Sequence, residues 1–434
     1  MTLPVTRPAT LGEEVERSMQ VLLVTVGGSF RPVLTSIQML QPDRVVFVVT
    51  GDSAAQVNGP GKPCREGETA LPNLLTQLEW EGEYELCQVS PDDVSGVYRE
   101  VCQRIERYRS DGHDLRADYT GGTKSMSVGL AAAAIDHEVD LYLTTGPRTN
   151  LVRVDHGELT ELSFAARIRV ERMLRETLPS HLQSYDYAAA GRLLKQLLLS
   201  RHLARDVREH VRWVAQWCSA FEAWDRFDHE AARKSLQPFK RYPETRRRVQ
   251  EAERILQSRQ HLEDGGPLKK HTSGYEVLED LLLNAERRAV VQRYDDAVGR
   301  LYRSLELLAQ LRLWMAFGLK TGDVERAKLP EAVREKFPGE EKVVLGLERS
   351  FTLLADLGDE PLGALWLERA GELKNALQVR NHSIFAHGFQ PVHRGLYRDF
   401  ERPVVGFLRQ GLERLSKAEP LTQLPRGLDP ELVP

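Results

Sequence analysis

The sequence predicts an α/β N-terminal region followed by an all-α remainder, and three observations carry that prediction. Short β-branched apolar runs alternate with helical stretches as far as about residue 165. Beyond about residue 166 the strand signal largely vanishes into helical periodicity. Several of the early strands end in Gly, Ser or Thr. Strands alternating with helices mean a parallel sheet. In such sheets ligands bind beyond the carboxyl ends of the strands.

Residues 1–17 are polar with two prolines and read as frayed. Val21-Leu22-Leu23-Val24-Thr25-Val26 is a continuous apolar run, as expected of a buried parallel strand. Gly27-Gly28-Ser29 follows, and Pro32 sits where the first turn of a helix tolerates it. Residues 45–49 form a second strand ending in Thr50-Gly51-Asp52-Ser53, and Gly59-Pro60-Gly61-Lys62-Pro63 marks a loop. A third strand is expected over 84–89 and a helix over 95–109. Leu115-Arg116-Ala117 is a short extended run, and 139–143 a further strand ending in Thr144-Thr145-Gly146.

Between those last two strands lies Asp118-Tyr119-Thr120-Gly121-Gly122-Thr123-Lys124-Ser125, followed by a small-residue helix over 126–135. Free N–H groups at such a helix start attract phosphate, and the helix dipole adds to the attraction. Two glycines let backbone approach a ligand, Lys124 adds charge, and Thr120, Thr123 and Ser125 add hydroxyls. The loop is neither a Walker A loop nor GxGxxG. A tight turn with a Thr or Ser cap satisfies the same spacing.

Residues 166–262 read as successive helices, with turns at Tyr185-Asp186-Tyr187 and Arg241-Tyr242-Pro243. Trp213 and Trp217 lie four apart on one helix face and read as core rather than as base-stacking platforms. Arg246-Arg247-Arg248 reads as a solvated face, with RNA guidance as the alternative. Residues 263–267 look like a linker, 275–318 one or two long helices, and 319–345 charged and irregular. A last helical pair ends near Leu415, and the Pro-rich tail is expected to be disordered.

Composition narrows the class. At 434 residues about three domains are expected. Apolar content of 41% with 28% charged residues fits an ordinary soluble protein. A net charge of −4 gives no global case for nucleic acid, so any RNA site must be a local patch. Cys64, Cys87, Cys102 and Cys218 form no CxxC pair, so neither zinc nor a disulfide framework is indicated. No apolar run reaches the ~18 residues that span a membrane, and no secretory leader is evident. A cytoplasmic location is the default.

The last motif is Val379-Arg380-Asn381-His382-Ser383-Ile384-Phe385-Ala386-His387-Gly388. Arg380 and His387 are seven apart, nearly on one face of a regular helix and about 10.5 Å apart along its axis. One copy is too spread for close cooperation on one phosphate. Gly388 and Pro391 read as a helix C-terminus, where the dipole favours a protonated imidazole. His382, two positions from Arg380 and on another face, ranks below His387. A salt-bridged Arg380 and a capping His387 form the structural alternative.

Residues 24–29 and 118–124 resemble the two ligand loops of CARF domains, Rossmann-like sensors of cyclic oligoadenylates. Arg380-Asn381 and His387 resemble the Arg–(four to six residues)–His motif of HEPN ribonucleases, and residues 293–306 resemble their long helix. The order matches the accessory ribonucleases of type III CRISPR systems. The resemblance implies a Rossmann-like CARF domain (18–165), a helical linker domain (166–270) and a HEPN domain (271–416). It implies ligand binding by Gly27, Gly28, Ser29, Thr50, Thr120, Gly121, Gly122, Thr123, Lys124, Ser125 and Thr145. It implies catalysis by Arg380, Asn381 and His387 at a composite site in a homodimer. The implied activity is metal-independent cleavage of single-stranded RNA, without a cofactor, activated by cyclic oligoadenylate. A nucleotide-sensing binding protein with a non-catalytic helical domain is the alternative. A nicotinamide-dependent oxidoreductase is poorly supported: the first loop lacks GxGxxG, and only Asp52 keeps a ribose contact open.

Overall fold

The computed structural model describes residues 18–29, 31–60, 71–145, 148–149, 153–154, 159–163, 167–200, 203, 205–338 and 341–427. The expectations for residues 1–17, for Gly61, Lys62, Pro63 and Cys64, and for Gly146 lie outside them. The described chain divides into two compact units: residues 1–174 with 200–204, and residues 175–199 with 205–434. The middle and C-terminal helices therefore share one unit.

The first unit runs β1 (Gln20–Thr25), α1 (Arg31–Leu40), β2 (Arg44–Val49), α2 (Gly51–Asn58), α3 (Leu74–Leu78), β3 (Glu83–Gln88), α4 (Val94–Ser110), β4 (Asp114–Asp118), α5 (Lys124–Asp136) and β5 (Asp140–Thr145). A ribbon, β6 (Arg148–Thr149) with β7 (Arg153–Val154), precedes β8 (Leu159–Leu162). The sheet order is β3-β2-β1-β4-β5-β8. The first five strands are parallel; β8 pairs antiparallel with β5 at the edge. Val21 and Leu23 pack with Val97, Ile105 and Leu130 on one face, and Leu22, Val24 and Phe47 with Val33 and Val57 on the other. Burial on both faces explains why these strands read as continuous apolar runs. β8 escaped sequence reading because it is four residues long and mostly exposed.

The second unit is almost wholly helical. It contains α7 (Leu178–Gln183), α8 (Tyr187–Leu199), α9 (Arg205–Asp225), α10 (His229–Leu236), α11 (Pro243–Asp264), α12 (Glu276–Val290) and α13 (Tyr294–Phe317); α6 (Arg167–Arg172) belongs to the first unit. Then come a small ribbon of β9 (Val324–Glu325) and β10 (Lys342–Val343) around α14 (Glu331–Arg334), and α15 (Leu347–Asp356), α16 (Leu365–Asn381) and α17 (Arg394–Leu415). Trp213 and Trp217 are buried and stacked at 5.5 Å, as core residues.

Two expectations are corrected here. Arg248 is neither solvated nor available to RNA: it is 2% exposed, paired with Glu244 and Glu251, and donates to the carbonyls of Thr422 and Gln423. Those acceptors belong to the tail, whose residues 416–427 pack against this unit instead of being disordered. Leu421 and Leu424 are buried, and the Leu421 N–H donates to Glu279 at 2.9 Å. The buried guanidinium and the tail carbonyls satisfy each other, which removes the cost of burying either alone.

Candidate functional site

In the first unit β1, β2, β4 and β5 deliver their carboxyl ends to one edge, and the strand order reverses between β1 and β4. That reversal is the place where open α/β sheets bind ligands. The loop after β1 and the loop after β4 meet there backbone to backbone. A Cβ on Gly27 would lie 2.6 Å from Gly122 N, and one on Gly121 would lie 2.2 Å from the Thr25 carbonyl oxygen. Gly122 also has φ +78°, which side chains disfavour. Thr25 Oγ1 and Ser127 Oγ both donate to the Gly121 carbonyl, at 2.7 and 2.8 Å.

Asp118, 1% exposed, anchors the second loop from beneath. It accepts from Thr120 N at 2.8 Å and Thr144 Oγ1 at 3.1 Å. Burial pushes its carboxyl above the ordinary range, opposed by hydrogen bonds from Thr120 and Thr144.

The predicted ligand residues fall into two groups. Gly28 is exposed with open space where a Cβ would be, and Ser29 is half-buried beside it. Lys124 is the exposed first residue of α5, followed by half-buried Ser125. The other group is engaged within the protein. Thr123 Oγ1 donates to the Pro91 carbonyl at 2.5 Å and accepts from Met126 N at 3.3 Å as the cap of α5. Thr50 caps α2 through Ser53 N at 3.2 Å. The expectation that Thr123 offers a hydroxyl to a ligand is corrected accordingly, and Thr50's hydroxyl is likewise directed to Ser53. Thr120 Oγ1 accepts from Thr144 N at 2.7 Å, and its hydroxyl faces the Asp118 carboxyl. Thr145 is exposed at the end of β5. Sequence reading missed Asp118, Thr144 and Ser127 as the residues that hold the loop; only Asp118's place in the quoted loop signalled it.

In the second unit the expected regular helix through Arg380 and His387 is corrected. α16 ends at Asn381, and His382 is its C-cap. Ser383, fully buried, folds the chain back: its N–H and hydroxyl both donate to the Arg380 carbonyl, at 3.0 and 2.8 Å. The His387 N–H then donates to the Asn381 carbonyl at 3.3 Å, and Gln390 N to the His382 carbonyl at 3.0 Å. The separation of 10.5 Å along a helix axis therefore does not apply. A Cβ on Gly388 would lie 2.0 Å from the His382 carbonyl oxygen. Gly388 thus closes the turn rather than ending the helix, which stops at Asn381.

The Arg380 guanidinium lies over the ring of Tyr302, on α13, at 4.2 Å. Burial and then the Glu306 carboxylate push the Tyr302 phenol up, with Arg380 opposing. Arg380 and Asn381 are half-buried, and His382 and His387 are exposed. A cation held on an aromatic face keeps its donor edge free for an anion. Tyr302 was missed as a partner of Arg380 because nothing in sequence spacing links residues 78 apart. Asp295 accepts from Val392 N at 3.3 Å, fixing the exit from the turn. Among the described residues no group of three or more His, Cys, Asp or Glu is placed to hold a metal ion. No helix among them is long and apolar enough to cross a membrane.

Comparisons with known proteins add to this geometry. Residues 268–410 match the family model described as the Csm6 HEPN domain. The chain is 27% identical over 379 residues to the CRISPR system endoribonuclease Csm6 of Thermus thermophilus, covering 78% of this chain and 77% of that protein. Enterococcus italicus Csm6, solved bound to cyclic hexa-2′-fluoro-hexa-dAMP, aligns with a TM-score of 0.61 at 14% identity. That match covers 92% of this chain and 94% of the other, and at such identity it is a likeness of fold.

Proposed function

We propose that this chain, which belongs to the CARF–HEPN family, is a type III CRISPR endoribonuclease that cuts single-stranded RNA, without a metal, when cyclic oligoadenylate binds its sensor. The observation that carries this reading is the Arg380 guanidinium, positioned on Tyr302 above a folded-back turn that presents two exposed histidines. RNA supplies its own nucleophile, the 2′-hydroxyl. A base removes its proton, the oxygen attacks the adjacent phosphorus, and the 5′ oxygen leaves with a proton from an acid. Histidine is the side chain suited to both proton transfers near neutral pH. The fork of donors on Arg380 offsets charge developing on the phosphate. Asn381 orients the phosphate or a neighbouring side chain. His387 is the assigned acid–base residue, and a second copy across a two-fold axis completes the cleft.

In the sensor (18–165), Gly28, Ser29, Lys124 and Ser125 receive the ligand, and a two-fold ligand contacts the same residues in both copies. The first-turn N–H groups of Lys124 and Ser125 have no intrahelical partner and suit a phosphate. The linker (166–270) joins sensor to nuclease (271–416). The test is incubation of labelled RNA and of DNA with the purified protein, with and without cyclic oligoadenylates, in the presence of chelator. Activator-dependent RNA products ending in 2′,3′-cyclic phosphate, with DNA intact, are expected. Ligand binding with no RNA cleavage under any condition replaces this reading with that of a nucleotide-sensing binding protein.

A further inference from the structure

The turn that carries the histidines leads directly into a second feature of the same unit. Between the start of α13 and the start of α17 lies an open cleft of about 410 Å³, lined by Gln292, Tyr294, Arg394, Tyr397, Arg398 and Glu401, among others. Tyr294 and Tyr397 pack ring to ring at 5.2 Å, with Tyr397 buried beneath and Tyr294 half-buried above it. Val290, 42% exposed, extends the apolar floor.

Arg394 and Arg398 are four residues apart on one face of α17, and both are exposed. Neither has an ion-pair partner among the described residues. Glu401 is the one acid among the residues lining the cleft, against two arginines. The neighbouring cleft around Glu279, Glu286 and Glu413 has only Arg409 to set against three acids and would repel a polyanion. Two free guanidiniums beside an aromatic floor form the pairing that binds single-stranded nucleic acid: charge for the phosphate, a ring for the base.

The cleft shares its walls with the candidate catalytic turn. Along α13, Tyr294 lines the cleft, Gly299 lies under the Phe385 ring and Tyr302 under Arg380. Eight residues of helix separate Tyr294 from Tyr302, about 12 Å along the axis. Asp295 ties the chain at Val392, two residues before α17 begins.

We infer that this cleft is a nucleotide subsite for the RNA strand flanking the cut: Arg394 and Arg398 each hold a backbone phosphate, and a base rests on Tyr294. The inference rests on the ribonuclease reading above, and it is tested by binding, which does not need cleavage. Anisotropy titrations of labelled single-stranded RNA, over a range of salt, are run on His387→Ala protein and on the same protein carrying Arg394→Gln and Arg398→Gln. Loss of two phosphate contacts is expected to lower the salt slope by about 1.4 and weaken binding on the order of tenfold or more. Arg394→Lys with Arg398→Lys, which keeps the charge, restores the slope. Tyr294→Ala is expected to weaken RNA on the order of tenfold with the slope unchanged. In protein with His387 intact, Arg394→Gln with Arg398→Gln raises KM more than it lowers kcat. An unchanged salt slope in the double glutamine variant, or equal loss in the lysine variant, overturns the subsite. Wild-type protein that binds RNA with this slope yet cuts none leaves the subsite standing and removes the ribonuclease reading.

Discussion

The loops proposed to sense a ligand and the turn proposed to cut RNA both place glycine beside polar residues, yet they are built on opposite plans. In the sensor the backbone is determined several times over. Gly27, Gly121 and Gly122 are fixed by close approach to one another's chain, and Thr25, Ser127, Asp118 and Thr144 hold the same few atoms from below. Few side chains remain to meet a ligand, chiefly Ser29, Lys124 and Ser125. In the turn after α16 one buried serine and one glycine set the path, and the chemistry-bearing groups stay at the surface. A preorganised cradle suits recognition of a small ligand. Exposed groups on a lightly held turn suit a site that a second copy or the substrate completes.

This contrast can be broken at the turn first. Arg380→Ala is expected to lower RNA cleavage by ~10²–10⁴-fold, the scale of losing one transition-state group, with calorimetric affinity for the activator unchanged. His387→Ala should fall as far and His382→Ala less. His382 still follows Arg380 in helical geometry, its N–H donating to the Gln378 carbonyl, so a dead His382→Ala with an active His387→Ala would reassign the acid–base role. Wild-type rates for all three variants would leave the turn without a catalytic part.

Gly388→Ala tests whether the path of the turn, and not only its side chains, matters. The added methyl meets the His382 carbonyl oxygen, so the chain must move. A displacement near 1 Å costs about 10²-fold where geometry governs rate. Activity within twofold of wild type would show that the histidines do not depend on this closure.

How much of this was legible beforehand differs between the two plans. The sheet was readable because strands buried on both faces leave unbroken apolar runs, as at 21–26 and 45–49. The loops were readable because glycine at a strand end has a geometric cause. The allocation of hydroxyls was not, since Thr123 and Ser125 look alike until Pro91 is seen to take one of them. In the helical unit the motif was legible as residue types but not as a shape: nothing local announced that the helix would stop at Asn381. Long-range partners such as Tyr302 under Arg380, or the tail on Arg248, depend on packing that spacing does not encode.

At the sensor the effects should be smaller and confined to binding. Lys124→Ala is expected to cost about 1.5–3 kcal/mol of activator affinity, the scale of a charge-assisted hydrogen bond, without altering the fold, because Lys124 is exposed at the start of α5. Calorimetry that finds wild-type affinity removes Lys124 from the site. Gly28→Ala, where space is open, separates contact from architecture: it should perturb binding while leaving thermal stability alone, whereas Gly121→Ala should lower both.

The smallest effect sharpens the claim that Asp118 supports the sensor from beneath rather than meeting ligand. Burial raises its carboxyl above the ordinary value of 3.8, so the folded protein holds that proton more tightly than the unfolded chain does. Its contribution to stability is therefore full below the unfolded value and is lost as pH rises through the folded one. The loss is about 1.4 kcal/mol for each tenfold difference in proton affinity between the two states. Asp118→Asn keeps an acceptor for Thr120 N and removes the titration. Protein equilibrated in urea across this pH range, then pulsed with protease at one common pH, gives a midpoint from the sensor-unit fragments. The wild-type midpoint should fall, relative to the variant, as pH rises from the ordinary carboxylate range toward neutrality. A difference that stays constant with pH means that Asp118 titrates alike in both states, and its bonds to Thr120 and Thr144 then offset its burial in full.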